Sequence, residues 1–244
     1  MSVAMNRLLF PLVFIVGLLF SGCSDNDTVF DEPLPVRAYE TDAQILSRFV
    51  EVDRTTGKFV INPDRRISVP DYIMNHSREE LMAVSPVNRN KFLREMEEVN
   101  SLLHSISQSG LSAAIIYSTY ASDVVVDGNN TGSLRVEKLP AVSAERGDVA
   151  HLLVTPEGNE PVKFYGGQSM IMNLSRSNRS MFYFYQLSFG DGSNPDGEIV
   201  IVAGVNSPLI YGSYRILNQG GDGTMVMNGR TLVGDGTLSV SIVR

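Results

Sequence analysis

A chain of 244 residues, 43% of them hydrophobic and with mean hydropathy near zero, can bury a genuine core in one or two domains, which argues against both a disordered chain and a multispan membrane protein. Its formal charge of −7 and pI near 5.0 offer no basic field for a phosphate backbone. With 8% aromatics and no Trp there are few stacking surfaces for bases, so nucleic acid is not an expected partner.

Arg7 is the only charge among residues 1–22, and it precedes an apolar run from Leu8 to Phe20 interrupted by Pro11 and Gly17. The run is 13 residues long, whereas a helix needs about 20 apolar residues to cross the hydrocarbon core. It therefore predicts a secretory signal rather than a spanning anchor. Ser21 and Gly22 follow, directly before the only cysteine of the chain. One cysteine makes no internal disulfide, and a lone exposed thiol is a liability in an oxidising compartment. Phe20-Ser21-Gly22-Cys23 resembles the lipobox of bacterial lipoproteins, with Phe20 where Leu is usual. The resemblance implies that residues 1–22 are a signal peptide, that Cys23 carries acyl chains such as palmitate, and that a membrane is a partner through this N-terminal lipid. Each buried acyl CH₂ contributes about 0.8 kcal/mol, so several chains hold durably.

Residues 23–36 read as the lipidated Cys and a flexible acidic tether, with Asp25, Asp27, Asp31 and Glu32 and no basic residue before Arg37. Ser24 to Pro35 can span about 40 Å when extended, and its prolines oppose helix formation. The start Cys23-Ser24-Asp25-Asn26-Asp27 is similar to the acidic export signal of surface lipoproteins in Bacteroidota. That implies the outer face of the outer membrane, with the periplasmic face as the alternative. Asp27-Thr28-Val29 matches the three-residue O-glycosylation pattern of that phylum, which makes Thr28 the acceptor.

From Cys23 onward 19 basic and 27 acidic residues remain, a net charge of −8. Residues 37–110 read as mostly helical. Thr41-Asp42-Ala43-Gln44 has the form of an N-cap with Gln at the third helical position, ahead of Ile45, Leu46, Phe49 and Val50. Thr55-Thr56-Gly57-Lys58 separates two apolar stretches, so a strand over Phe59 to Ile61 is expected after a turn. Ser77-Arg78-Glu79-Glu80 reads as a second capping box. Phe92, Met96, Val99, Leu103 and Ile106 recur at helical spacing between Pro86 and Gly110 and predict one long amphipathic helix.

Of the 21 glycines, 18 lie from Gly110 onward, together with five Asp-Gly dipeptides and Asn228-Gly229, which suit tight hairpins. Eleven short β-rich runs follow between Ala113 and Val243, among them Val162 to Tyr165, Ser169 to Leu174 and Met181 to Phe189. Residues 111–244 thus predict a mainly antiparallel β-sandwich or barrel, and the fold class is α+β with a helical N-terminal segment.

The chemistry-bearing residues point away from catalysis. His76, His104 and His151 have no His or Cys at ligand spacing, so no metal site is expected. Asp191 to Glu198 carries oxygen ligands, but Pro195 occupies a ligand position of a calcium loop, and a hairpin turn is the better reading; the glycine-rich stretch Asn218 to Gly223 is read in the same way. Gly166-Gly167-Gln168-Ser169-Met170 is no nucleophile elbow, because no glycine follows the serine at the required place. Neighbouring carboxylates such as Glu79 and Glu80 point in different directions on a helix. No catalytic residue and no cofactor is assigned, and the chain is not read as an enzyme.

The aromatic run Met181 to Phe189 is the most distinctive segment. In a strand, Phe182, Phe184 and Gln186 share one face, and Tyr183, Tyr185 and Leu187 the other. Bulk on both faces fits a central strand covered on both sides. The functional alternative is a platform of Tyr183 and Tyr185 on which a sugar ring stacks. The chain resembles the small accessory lipoproteins of Bacteroidota, many of which support glycan capture or surface assemblies. That resemblance implies a non-catalytic binding module with a polysaccharide ligand. The alternative is an adhesive, pilus-like or accessory structural subunit with an outer-membrane protein partner.

Overall fold

The computed structural model describes residues 37–66, 71–120, 122–126, 132–139, 148–155, 160–174, 180–191, 197–206, 213–220, 224–234 and 238–243. Val36–Arg244 forms one compact unit. It is α+β, with a sheet-rich core and mostly antiparallel pairing.

Three helices, α1 (Tyr39–Ser47), α2 (Asp71–Met82) and α3 (Pro86–Gln108), and a hairpin of β1 (Val50–Asp53) and β2 (Lys58–Ile61) come first. The hairpin turn is where the Thr55-Thr56-Gly57 run placed it, and Gly57 has the positive φ of +66° that a side chain would oppose. Asp53 accepts hydrogen bonds from the Thr55 N–H at 2.9 Å and the Thr56 hydroxyl at 2.7 Å. These bonds, the Thr56 hydroxyl first, hold its carboxyl below the usual range.

The α1 and α2 starts differ from the capping-box expectation. α1 begins at Tyr39 with Ala38 at its N-cap and no side-chain cap bond, which leaves Thr41 inside the helix. Tertiary demand overrides the local signal, because Asp42 is fully buried and its carboxylate serves another helix. Its Oδ2 accepts the Ser85 N–H at 3.1 Å and the Asn88 amide at 2.8 Å, at the positive N-terminal end of α3. Ser77 likewise lies in the middle of α2, where its buried Oγ accepts from Arg48 Nη1 at 3.0 Å rather than capping a terminus. The long amphipathic helix is present as α3, entered through Pro86 at its first position.

The remaining strands build two sheets. The six-stranded sheet has the order β4 (Asp123–Val126), β3 (Ser112–Ser118), β10 (Glu198–Val205), β9 (Phe182–Gly190), β12 (Thr224–Val233), β7 (Val162–Tyr165). The five-stranded sheet has the order β5 (Leu134–Lys138), β11 (Ser213–Asn218), β8 (Ser169–Leu174), β13 (Leu238–Val243), β6 (Asp148–Val154). Among the described pairings β3 with β10 is parallel and the others are antiparallel.

Two apolar cores account for this arrangement. Residues from both sheets, including Ile116, Val136, Met172, Tyr185, Val202, Tyr214 and Val240, share one core, so the sheets pack face to face. The opposite face of the six-stranded sheet packs Phe184, Ile199, Ile201 and Ala203 against Leu46, Phe59, Phe92 and Val99 of the helices and hairpin. The six-stranded sheet is thus a middle layer, and all nine residues of β9 are buried. The five-stranded sheet shows the alternation of a sheet with one wet face, as in the pattern of β11 from Ser213 to Asn218. The composition change near Gly110 marks a change of element type within a shared core.

The Asp-Gly and Asn-Gly signals report turning but not its destination. Asp191 to Gly197 joins the paired neighbours β9 and β10. The strands on either side of Asp127-Gly128, Asp222-Gly223 and Asp235-Gly236 lie in different sheets, so those strands do not pair with each other. Asn228-Gly229 lies inside β12, opposite Ser188 and Leu187.

Candidate functional site

Tyr183 and Tyr185 sit on the strand face the alternation predicts, but that face points into the core between the sheets. They are 7% and 1% exposed, with ring centroids 5.5 Å apart. The packing explains this. Tyr183 stands opposite Gly204 of β10, where the missing side chain leaves room for the ring's hydroxyl end. A sugar ring cannot stack on either, and the tyrosine-platform assignment is corrected accordingly. Cys23 and Thr28 lie outside the described residues, as do the side chain of His151 and most of the Asp191 to Glu198 turn.

His76 is exposed on α2 within 3.8 Å of Glu79 and 3.7 Å of Glu80, and His104 is exposed on α3. Among the described residues no group of three or more His, Cys, Asp or Glu is arranged to hold a metal ion. Asn218, at the start of the glycine-rich stretch read as a turn, ties the chain together. Its amide donates to the Phe164 carbonyl at 3.1 Å, and its Oδ1 accepts the Gly220 N–H at 3.0 Å.

A polar ledge emerges on the helix-facing side of the six-stranded sheet. There the residues of β9 and β10 are covered, while Asn228 and Arg230 of β12 and Lys163 and Tyr165 of β7 remain in solvent. The register places Asn228 beside Ser188, Arg230 beside Gln186 and Val226 beside Lys163. Arg230 Nη2 donates to Gln186 Oε1 at 3.2 Å, and Gln186 Nε2 donates to Ser188 Oγ at 3.0 Å. The strip runs about 20 Å along the strands at about 3.3 Å per residue. Tyr165, 45% exposed, stands at its far end. Beyond Arg230 a bulge at Thr231 to Val233 turns β12 toward a recess of about 280 Å³ beside Glu95 and Glu98 of α3. Glu95 is already engaged there: the Tyr39 hydroxyl donates to it at 2.6 Å. Burial first, then this bond and the Glu95 and Glu40 charges, raise the Tyr39 phenol well above its ordinary range.

The ledge combines amide, hydroxyl, ammonium and guanidinium groups with one aromatic face. These are groups that hydrogen-bond the hydroxyls of a saccharide and pack its C–H face. No motif in the sequence marks these residues as a site. The available signal was the alternation in Val162-Lys163-Phe164-Tyr165 and Met225-Val226-Met227-Asn228, where every second residue is a core residue and its neighbours are not.

In comparisons with known proteins, the chain matches no protein-family model and no curated protein.

Proposed function

We propose that this protein is a lipid-anchored lipoprotein of a bacterial outer membrane, displayed at the cell surface, whose folded body is a non-catalytic module that captures a glycan on the β7–β12 ledge. The address is supported by Cys23, the only cysteine of the chain, which stands behind an apolar run and two small residues and ahead of an acidic tether. The binding role rests on one observation: the helix-facing side of β12 and β7, two of the six strands, is left uncovered and carries Tyr165, Lys163, Asn228 and Arg230 around Val226. In this reading the two face-to-face sheets are a β-sandwich whose middle layer offers the ligand a rigid floor.

The alternative of an adhesive or accessory structural subunit would use a sheet edge to accept a strand from a partner. The edge strands of the six-stranded sheet, β4 and β7, are four residues long each and offer few free backbone groups, so the alternative would turn to the seven-residue edge strand β6 of the other sheet. The test is a polysaccharide array probed with the full chain in detergent. Binding to at least one polysaccharide class is expected, weakened about tenfold by Tyr165→Ala at unchanged thermal stability, as fits loss of one aromatic contact of about 1.4 kcal/mol. A blank array, or binding indifferent to both Tyr165→Ala and Arg230→Ala, contradicts the reading.

A further inference from the structure

A second opening lies away from the ledge, between the β1–β2 hairpin and the β3–β4 turn. It is a cleft of about 310 Å³ with three arginines in its lining: Arg54, Arg65 and Arg66. Arg65 forms part of its wall and is 7% exposed. Its Nη1 donates to the carbonyls of Val50 and Arg48, and its Nη2 to Thr119 Oγ1 at 2.8 Å. Thr119 is itself fixed, because its hydroxyl donates to the Ser122 carbonyl at 2.7 Å. These partners orient the guanidinium but do not neutralise it. Burial pulls the Arg65 pKa below its ordinary value, and the charge of Glu51 pulls against that.

Among the described residues none of the three arginines has a carboxylate oxygen within 4.0 Å. Arg54 and Arg66 are exposed at the mouth. Glu51, on the same lining, accepts the Asn62 amide at 3.0 Å, and Asp64 completes a lining of three positive and two negative side chains. In a chain that is otherwise acidic, three guanidiniums and two carboxylates line one small opening, which leaves the lining one positive charge in excess, with no ion pair to the arginines among the described residues. Guanidinium suits an oxyanion because its fork donates two parallel hydrogen bonds. The carboxylates beside it accept from hydroxyl donors and would repel a ligand that is anionic all over.

We infer that this cleft binds a small hydroxylated molecule carrying one oxyanion, of the size of an acidic monosaccharide, with Arg54 and Arg66 clamping the oxyanion against Arg65. The oxyanion is a carboxylate, as in a uronic acid, or a phosphate or sulfate ester. This site is separate from the ledge and needs neither the lipid anchor nor glycan capture on the ledge to be correct.

The test is calorimetric titration of the full chain with glucuronate, glucose 6-phosphate, glucose 6-sulfate and neutral glucose. Saturable binding of at least one anionic sugar is expected, tightening at low salt, with neutral glucose at least tenfold weaker. Arg54→Ala with Arg66→Ala should weaken the anionic sugar at least tenfold while the melting temperature stays within a degree or two. Arg54→Lys with Arg66→Lys should retain part of the affinity. The preferred anionic sugar identifies the oxyanion. The inference is overturned if no anionic sugar binds saturably, if glucose binds as well as they do, or if the double alanine variant binds like the parent. Tyr165→Ala should leave this binding unchanged, and loss of ledge binding alone leaves this inference standing.

Discussion

Gly204→Ala is expected to destabilise the protein by about 3 kcal/mol, at the upper end of the cost of overpacking a filled core. A Cβ at this position would stand 2.5 Å from the Ser118 carbonyl oxygen, 2.6 Å from the Tyr183 hydroxyl and 2.8 Å from Ser118 Cβ. Two of these three atoms belong to the parallel partner strand β3, whose register with β10 runs without a break from Ser112 to Ser118. Relief therefore requires moving a strand or expelling the Tyr183 ring. Urea denaturation followed by far-ultraviolet circular dichroism measures the loss. A change below about 0.5 kcal/mol would mean that Tyr183 does not fill the space over Gly204, and would reopen its exposure to ligands.

A comparable loss, about 3 kcal/mol, is expected for Asn100→Ala. The buried Asn100 side chain reaches from α3 to the second hairpin strand, where its Oδ1 accepts the Phe59 N–H at 2.8 Å and its Nδ2 donates to the Phe59 carbonyl at 2.9 Å. One amide thus does for Phe59 what a neighbouring strand would do. Removing it strands a backbone donor and acceptor, each costing about 1–3 kcal/mol when buried without a partner. Phe59 also packs edge-on against Tyr117 and Phe182, so the damage should spread from the hairpin to the helix-facing core. Hydrogen exchange at the Phe59 amide reads the local effect. Unchanged protection in the variant would contradict the proposed role of Asn100.

Much of the strand layout was legible because alternation and glycine punctuation are local signals. Val162–Tyr165 and Ser169–Leu174 occur where the sequence pattern puts them, and the faces of Phe182 and Tyr183 separate as period-two geometry demands. What covers each face was not legible, since it depends on elements distant in sequence. The exposure of Tyr183 turned on Gly204, and that of Tyr165 on α3 and the hairpin leaving β12 and β7 uncovered. The capping boxes at Thr41 and Ser77 failed for the same reason: Asp42 and Ser77 are committed to Asn88 and Arg48, partners no local window contains. Arg65 escaped notice because a buried arginine held by backbone carbonyls leaves no spacing pattern in the sequence.

The proposed function requires a lipid on Cys23, since that attachment would hold the proposed binding module at a membrane surface. Intact-mass analysis of the protein isolated from its native envelope tests this most directly. The expected mass is that of a chain beginning at Cys23 plus a thioether-linked diacylglycerol, and Cys23→Ser should release the protein from the membrane fraction. A native chain with a free, unmodified thiol, or a Cys23→Ser variant that stays wholly with the envelope, would contradict it.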